Sequence, residues 1–255
     1  MAAQKRNQPE QQAPPVQRLR IRYAKRGRLR FTSHRDFSRA FERALSRAAI
    51  PMAYSSGFNR HPRISYAGAS PTGAASEAEY LEIGLAEEAE PAAVRAALDE
   101  SLPPGLDILE VVSSAGGSLA DRLEASAWEI RVLEGPLADD EVRLAEAVRR
   151  FLATPEVTVE RMTKKGLRSF DARAAVVSLD GRVDAAAGPR CAILQLVLRH
   201  GTPSVRPDDV LAALCEISGL DAVPGARQLR VAQGPLDPQA GTVGDPLAPD
   251  RDVTE

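Results

Sequence analysis

Apolar and polar positions first alternate at Leu19, Ile21 and Tyr23, which are interleaved with Arg18, Arg20 and Arg22. That period of two predicts a half-buried strand with a cationic open face. After a turn at Arg26-Gly27 the alternation resumes with Leu29 and Phe31, as in a hairpin or a long bulged strand. Ser33 followed by Asp36 has the form of a capping box, so a helix is expected from there to about Ala49, before Pro51 forbids continuation. Phe37, Phe41 and Leu45 share one face of that helix, and Arg35, Arg39, Arg43 and Arg47 lie nearly opposite. A strand at Met52 to Ser55, an irregular loop GFNRHPRIS, a strand at Glu79 to Leu85, a helix from Pro91 to about Ser101 and a strand at Leu106 to Val112 complete a βαββαβ order.

The run SSAGGS from Ser113 to Ser118 has the composition of a linker, and the pattern then starts again. Strands are expected at Trp128 to Leu133, Glu156 to Met162, Arg168 to Leu179, Cys191 to Arg199 and Leu229 to Ala232, with helices at Ala138 to Leu152 and Pro207 to Ile217. The reading is an α+β chain of two tandem ferredoxin-like domains, 17–113 and 119–233. The polar, Gln/Pro-rich residues 1–16 and the Pro/Gly/Asp-rich residues 234–255 read as disordered tails. Length agrees, since 255 residues suit two ordinary cores.

Composition is globular, with 44% hydrophobic and 27% charged residues. No apolar run is long enough for a membrane span or has the character of a signal peptide, so a cytoplasmic protein without membrane contact is expected. Cys191 and Cys215 stand in apolar runs outside any C-x-x-C arrangement and read as small buried hydrophobes.

The formal charge of −2 conceals an asymmetry: the first 70 residues carry 15 basic and 3 acidic residues, a balance of +12, and the remainder carries −14. Seven of the eleven aromatics fall in the same stretch. This is the pattern of a polyanion-binding end on a neutral or acidic body. Arginines four apart on a helix rise about 6 Å per step, close to the spacing of phosphates along a strand. A charge stripe of this kind also suits a solvated helix face; Arg18, Arg20, Arg22, Arg28, Arg30, Arg60 and Arg63 on adjoining elements tip the balance toward anion binding.

In the loop Tyr54-Ser-Ser-Gly-Phe-Asn-Arg-His-Pro-Arg, Tyr54 and Phe58 suit stacking on unpaired bases, Asn59 suits base edges, and Arg60 and Arg63 suit phosphates. The same aromatics would equally pin a long loop to a sheet, with Gly57 at positive φ and Pro62 as stiffener. A third stretch, Lys164 to Arg173, reads as a basic exposed hairpin. For catalysis the chain offers His34, His61 and His200, of which His34 with His61 is the one conceivable acid–base pair. Scattered His and Cys without ligand spacing give no metal site.

Phe31-Thr-Ser-His-Arg-Asp-Phe, Tyr54-Ser-Ser-Gly-Phe-Asn-Arg-His-Pro-Arg-Ile-Ser, Pro71-Thr-Gly-Ala-Ala-Ser-Glu-Ala-Glu-Tyr and Phe170-Asp-Ala-Arg resemble the radical SAM-linked (radical SAM-associated) domain family, whose function is uncharacterised. The likeness runs from about Leu19 to Val231. It implies an accessory to a separate radical SAM enzyme, which would carry the iron–sulfur cluster, S-adenosylmethionine and cobalamin, since this chain has no C-x-x-x-C-x-x-C motif. The expected function is an RNA-binding or substrate-presenting module that brings no cofactor of its own. The alternatives are a metal-independent endoribonuclease using His34 and His61, and a protein–protein adaptor.

Overall fold

The structure is a computed structural model, and it describes residues 11–163, 166–185, 190–221 and 225–251. In chain order the elements are β1 (Gln17–Lys25), α1 (His34–Arg47), β2 (Ile64–Ala67), β3 (Ala75–Leu85), α2 (Pro91–Ser101), β4 (Ile108–Ser113) and β5 (Ala125–Val132). There follow α3 (Pro136–Asp139), α4 (Glu141–Ala153), β6 (Thr158–Thr163), β7 (Gly166–Asp171), β8 (Val176–Asp184) and β9 (Cys191–Arg199). The chain continues with α5 (Pro207–Ile217), β10 (Arg227–Gly234), β11 (Leu236–Asp237), β12 (Thr242–Val243) and α6 (Ala248–Arg251). The fold is mixed α+β. No described helix is long and apolar enough to cross a membrane.

Two compact units divide the chain, and their boundaries correct the simple tandem of 17–113 and 119–233. The first comprises residues 1–69, 79–119 and 247–255, and the second 70–78 and 120–246. β3 crosses the boundary: its first residues pair in parallel with β10 at Leu229 and Arg230, and the rest pairs with β2.

In the first unit the strand order is β4-β1-β3, with β2 antiparallel on the far side of β3. Phe37, Phe41, Ala44 and Leu45 bury one face of α1 against Leu19, Ile21, Leu81 and Ile83. The Phe37 ring lies stacked on Tyr23 at 4.4 Å. The second ladder strand falls at Ile64–Ala67 rather than at Met52 to Ser55, which makes only isolated bridges, Met52 to Leu85 and Tyr54 to Pro62. The expected continuation of β1 through Phe31 is instead a 3-10 turn, Gly27–Phe31, closed by the Leu29 amide on the Arg26 carbonyl. Gly27 begins it at φ +55°, where glycine has no steric penalty.

The expected cationic open face of β1 is covered. Arg20 is wholly buried. Its Nε donates to Glu82 at 3.0 Å, its Nη1 to both oxygens of Asp250 at 2.8 and 2.9 Å, and its Nη2 to the carbonyls of Gly116 and Gly117 at 2.8 and 2.7 Å. All five donors of the guanidinium face acceptors, the condition for burying a charge. Two expected features are thereby corrected. Residues 236–251, read as part of a disordered tail, form β11, β12 and α6, and α6 supplies the countercharge, Asp250, itself fully buried. The glycine run read as a linker turns two carbonyls inward, with Gly116 and Gly117 at φ +94° and +69°. At the other end, Gln12 donates its amide to Ser56 and Val16 to Leu85; residues 1–10 lie outside the described residues.

The second unit has strand order β10-β5-β9-β8, every neighbouring pair antiparallel. α4 and α5 close its core through Leu144, Phe151, Val210 and Leu214. The strand expected from Arg168 to Leu179 is two, β7 and β8, broken at Ala172 to Ala175. Asp171 causes the break, because one carboxylate oxygen accepts from the amides of Val157 and Arg173. The Arg173 guanidinium then satisfies the carbonyls of Val176 and Leu152. Phe170-Asp-Ala-Arg is thus a corner of the fold. Lys164 and Lys165 of the basic hairpin lie outside the described residues. Cys191 and Cys215 are both buried, and neither forms a disulfide among the described residues.

His200 occupies the second unit, its Nδ1 2.7 Å from the Leu123 carbonyl and Nε2 3.1 Å from Ser126 Oγ. Burial holds the imidazole below its ordinary pKa, and Arg230 adds to the depression against the opposing Leu123 bond. The folded state therefore favours neutral His200. Its contribution is complete above the unfolded value of about 6.5 and is lost as pH falls toward the folded pKa. In urea unfolding at pH 7.5, 6.5 and 5.5, the stability gap between wild type and His200→Gln should narrow as pH falls; a constant gap would contradict this.

Candidate nucleic-acid interface

Helix α1 begins where Ser33 accepts a hydrogen bond from the Asp36 amide and donates its hydroxyl to the Asp36 carboxylate. With the apolar face committed to the core, Arg35, Arg39, Arg43 and Arg47 emerge exposed along the helix. Their surroundings separate them from the other arginines of the first unit. Arg18 pairs with Glu82, Arg26 with Asp107, and Arg20 with Glu82 and Asp250. Arg35, Arg39 and Arg43, together with Arg28 and Arg60, have no ion pair or hydrogen bond among the described residues. Arg47 donates to the Ser101 carbonyl at the end of α2.

Arg39, Arg43, Arg47 and Ser46 line a shallow groove of about 620 Å³, with Glu42 among them. On the other side of Arg43 and Arg47, a groove of about 700 Å³ separates α1 from α2. Glu100 lines this second groove as Glu42 does the first, yet neither pairs with these arginines among the described residues, so the guanidiniums stay open to an external anion.

The loop beyond α1 is an arch. Tyr54 bridges Pro62, the Ser55 amide meets the His61 carbonyl at 2.9 Å, and the Arg63 guanidinium clasps the Tyr54 carbonyl at 3.1 Å. Gly57 turns its crown at φ +136°. Phe58 is 76% exposed there, with Asn59, Arg60 and His61 also exposed, and Tyr54 is 44% exposed at the base. Phe58 therefore does not pin the loop; the bridge and Arg63 hold it, and the aromatic ring is presented outward.

Arg28 and Arg30 sit in the 3-10 turn, the latter with its guanidinium 4.6 Å from the centroid of the exposed Phe31 ring. Arg22 is half-buried on β1. Arg20 is withdrawn from the candidate site by its burial. The two candidate catalytic histidines have different neighbours: His34 stands edge-on to Tyr66 at 4.8 Å, and the His61 amide is held by Ser55 Oγ. Burial raises the Tyr66 phenol above its ordinary pKa, Ser38 opposing and Glu42 adding to the shift. Two residues join the site that the sequence reading left out. Phe31 had been placed in a strand, although its adjacency to Arg30 was a signal, and Glu42 is a carboxylate set among arginines.

The family described as "Uncharacterized protein conserved in bacteria (DUF2344)" matches residues 18–207. The chain belongs to this family. The matched stretch of this DUF2344 member takes in α1, the arch and Arg20, and ends before Asp250. No curated protein matches the chain. Among solved structures, a chain of a Cbf5-Nop10-Gar1 complex is similar at 11% identity and a TM-score of 0.43. The alignment covers 89% of this chain and 56% of that one, so the protein spans little more than half its length. An unknown protein from Galdieria sulphuraria is similar at 15% identity and a TM-score of 0.24, with 83% and 95% covered.

Proposed function

We propose that this DUF2344 protein is a cytoplasmic accessory module that binds single-stranded RNA through its first unit and presents it to a separate enzyme. The observation that carries this reading is the row of exposed guanidiniums on α1, of which Arg35, Arg39 and Arg43 have no ion pair or hydrogen bond among the described residues, beside an arch that presents an aromatic ring to solvent. Arginine on phosphate supplies affinity, and aromatic faces accept unstacked bases. The strand orders support reading both units as ferredoxin-like, with β6 and β7 an insertion in the second. The partner in this proposal is a radical SAM enzyme that brings the cluster, S-adenosylmethionine and cobalamin; the motif resemblance alone supports it.

Filter retention of a labelled single-stranded RNA tests the reading. Wild type should retain it, and Phe58→Ala should weaken binding about tenfold, the worth of one stacked base. Equal retention by wild type and variant would remove the arch from the interface. Discrete cleavage in chelator, lost in a His34→Ala, His61→Ala variant, would replace the module by a ribonuclease.

A further inference from the structure

We propose that a small cavity at the foot of the arch is a guanine pocket, an assignment that rests on the RNA reading above. The cavity measures about 120 Å³. Leu45, Ile50 and Met52 supply apolar lining, and Tyr54 and Pro62 come from the two sides of the arch. At the roughly 30 Å³ that each water occupies in the liquid, the space equals about four waters. It admits a ring system and leaves ribose and phosphate outside. Outside is the Arg39–Arg43 groove, which shares Glu42 and Ser46 with the cavity.

Glu42 gives the pocket its selectivity. A carboxylate on a phosphate-binding face repels the ligand, and α1 carries only one other acid, Asp36, which is engaged at the cap. Glu42 has no ion pair or hydrogen bond among the described residues, although Arg39 and Arg43 flank it in sequence. A carboxylate offers two acceptors and no donor. Guanine meets it with N1–H and the N2 amine side by side, a bidentate pair. Adenine and cytosine place a lone-pair nitrogen beside their amine, and uracil sets its N–H between two carbonyls, so each brings repulsion with its single bond.

Fluorescence anisotropy with the full chain and the heptamers UUUGUUU, UUUAUUU, UUUIUUU (I, inosine) and UUUUUUU tests this. The guanine heptamer should bind about tenfold more tightly than the adenine one, the effect of one bidentate pair. Inosine, which lacks the N2 amine, should lose most of that gain. Glu42→Gln should bind all four alike while its affinity for UUUUUUU stays equal or rises; circular dichroism checks its fold. A wild type without the guanine preference, or a preference intact in Glu42→Gln, overturns the pocket. Failure of every heptamer to bind at low salt overturns the RNA reading itself, and the pocket with it.

Discussion

Replacing Asp250 by Ala should cost the protein about 3 kcal/mol of stability, a large share of the 5–15 kcal/mol typical of a domain. The substitution removes both bonds to Arg20 Nη1 and the acceptor of the Ala115 amide. Arg20 keeps Glu82 and the two glycine carbonyls but has no route to water. A guanidinium left partly compensated in the interior is the costly case, whereas an exposed ion pair is worth under about 1 kcal/mol. Arg251→Ala, which breaks the more exposed pair to Glu110, serves as the control and should be nearly neutral. Ending the chain after Pro246 should match or exceed the Asp250 effect, because it also deletes the fully buried Leu247. Urea unfolding followed by circular dichroism gives the comparison; a loss under 1 kcal/mol for Asp250→Ala would refute the latch.

This latch marks where the amino-acid sequence was legible and where it was not. Local periodicity was enough for α1, α2, α5 and β9, since each carries its own apolar stripe or run between clear stop signals. Arg20 was not legible, because its partner lies 230 residues away in a stretch whose Pro/Gly/Asp composition resembles a tail. In the sequence, Arg18, Arg20 and Arg22 are equivalent alternating cations, and only tertiary structure buries the middle one. The break at Asp171 was hidden for a related reason: a carboxylate satisfying two amides ends a strand whose side chains still alternate. For the candidate site, the arginine row of α1 was fully readable, being a matter of helical spacing. That Arg35, Arg39 and Arg43 form no ion pair among the described residues was not, since pairing depends on what other elements bring near.

That missing pairing sets the second large effect. Arginines already neutralised by protein carboxylates release few counterions from RNA, whereas unpaired ones release nearly their full share. The Arg39→Ala, Arg43→Ala double variant should lose affinity for every single-stranded sequence alike, because phosphate contacts carry no base information. Both residues are exposed and make no ion pair or hydrogen bond among the described residues, so thermal stability should be little changed. Arg149→Ala, Arg150→Ala in the second unit, whose arginines pair with Glu146, is the matched control and should leave RNA binding intact.

The central claim is tested most directly by the salt dependence of that affinity. With about 0.7 of a counterion released per phosphate neutralised on a single strand, wild type should bind an unstructured RNA with log Kobs falling steeply against log salt. The Arg39→Ala, Arg43→Ala variant should show a slope shallower by about 1.4. Identical slopes and affinities for the two proteins would contradict the account.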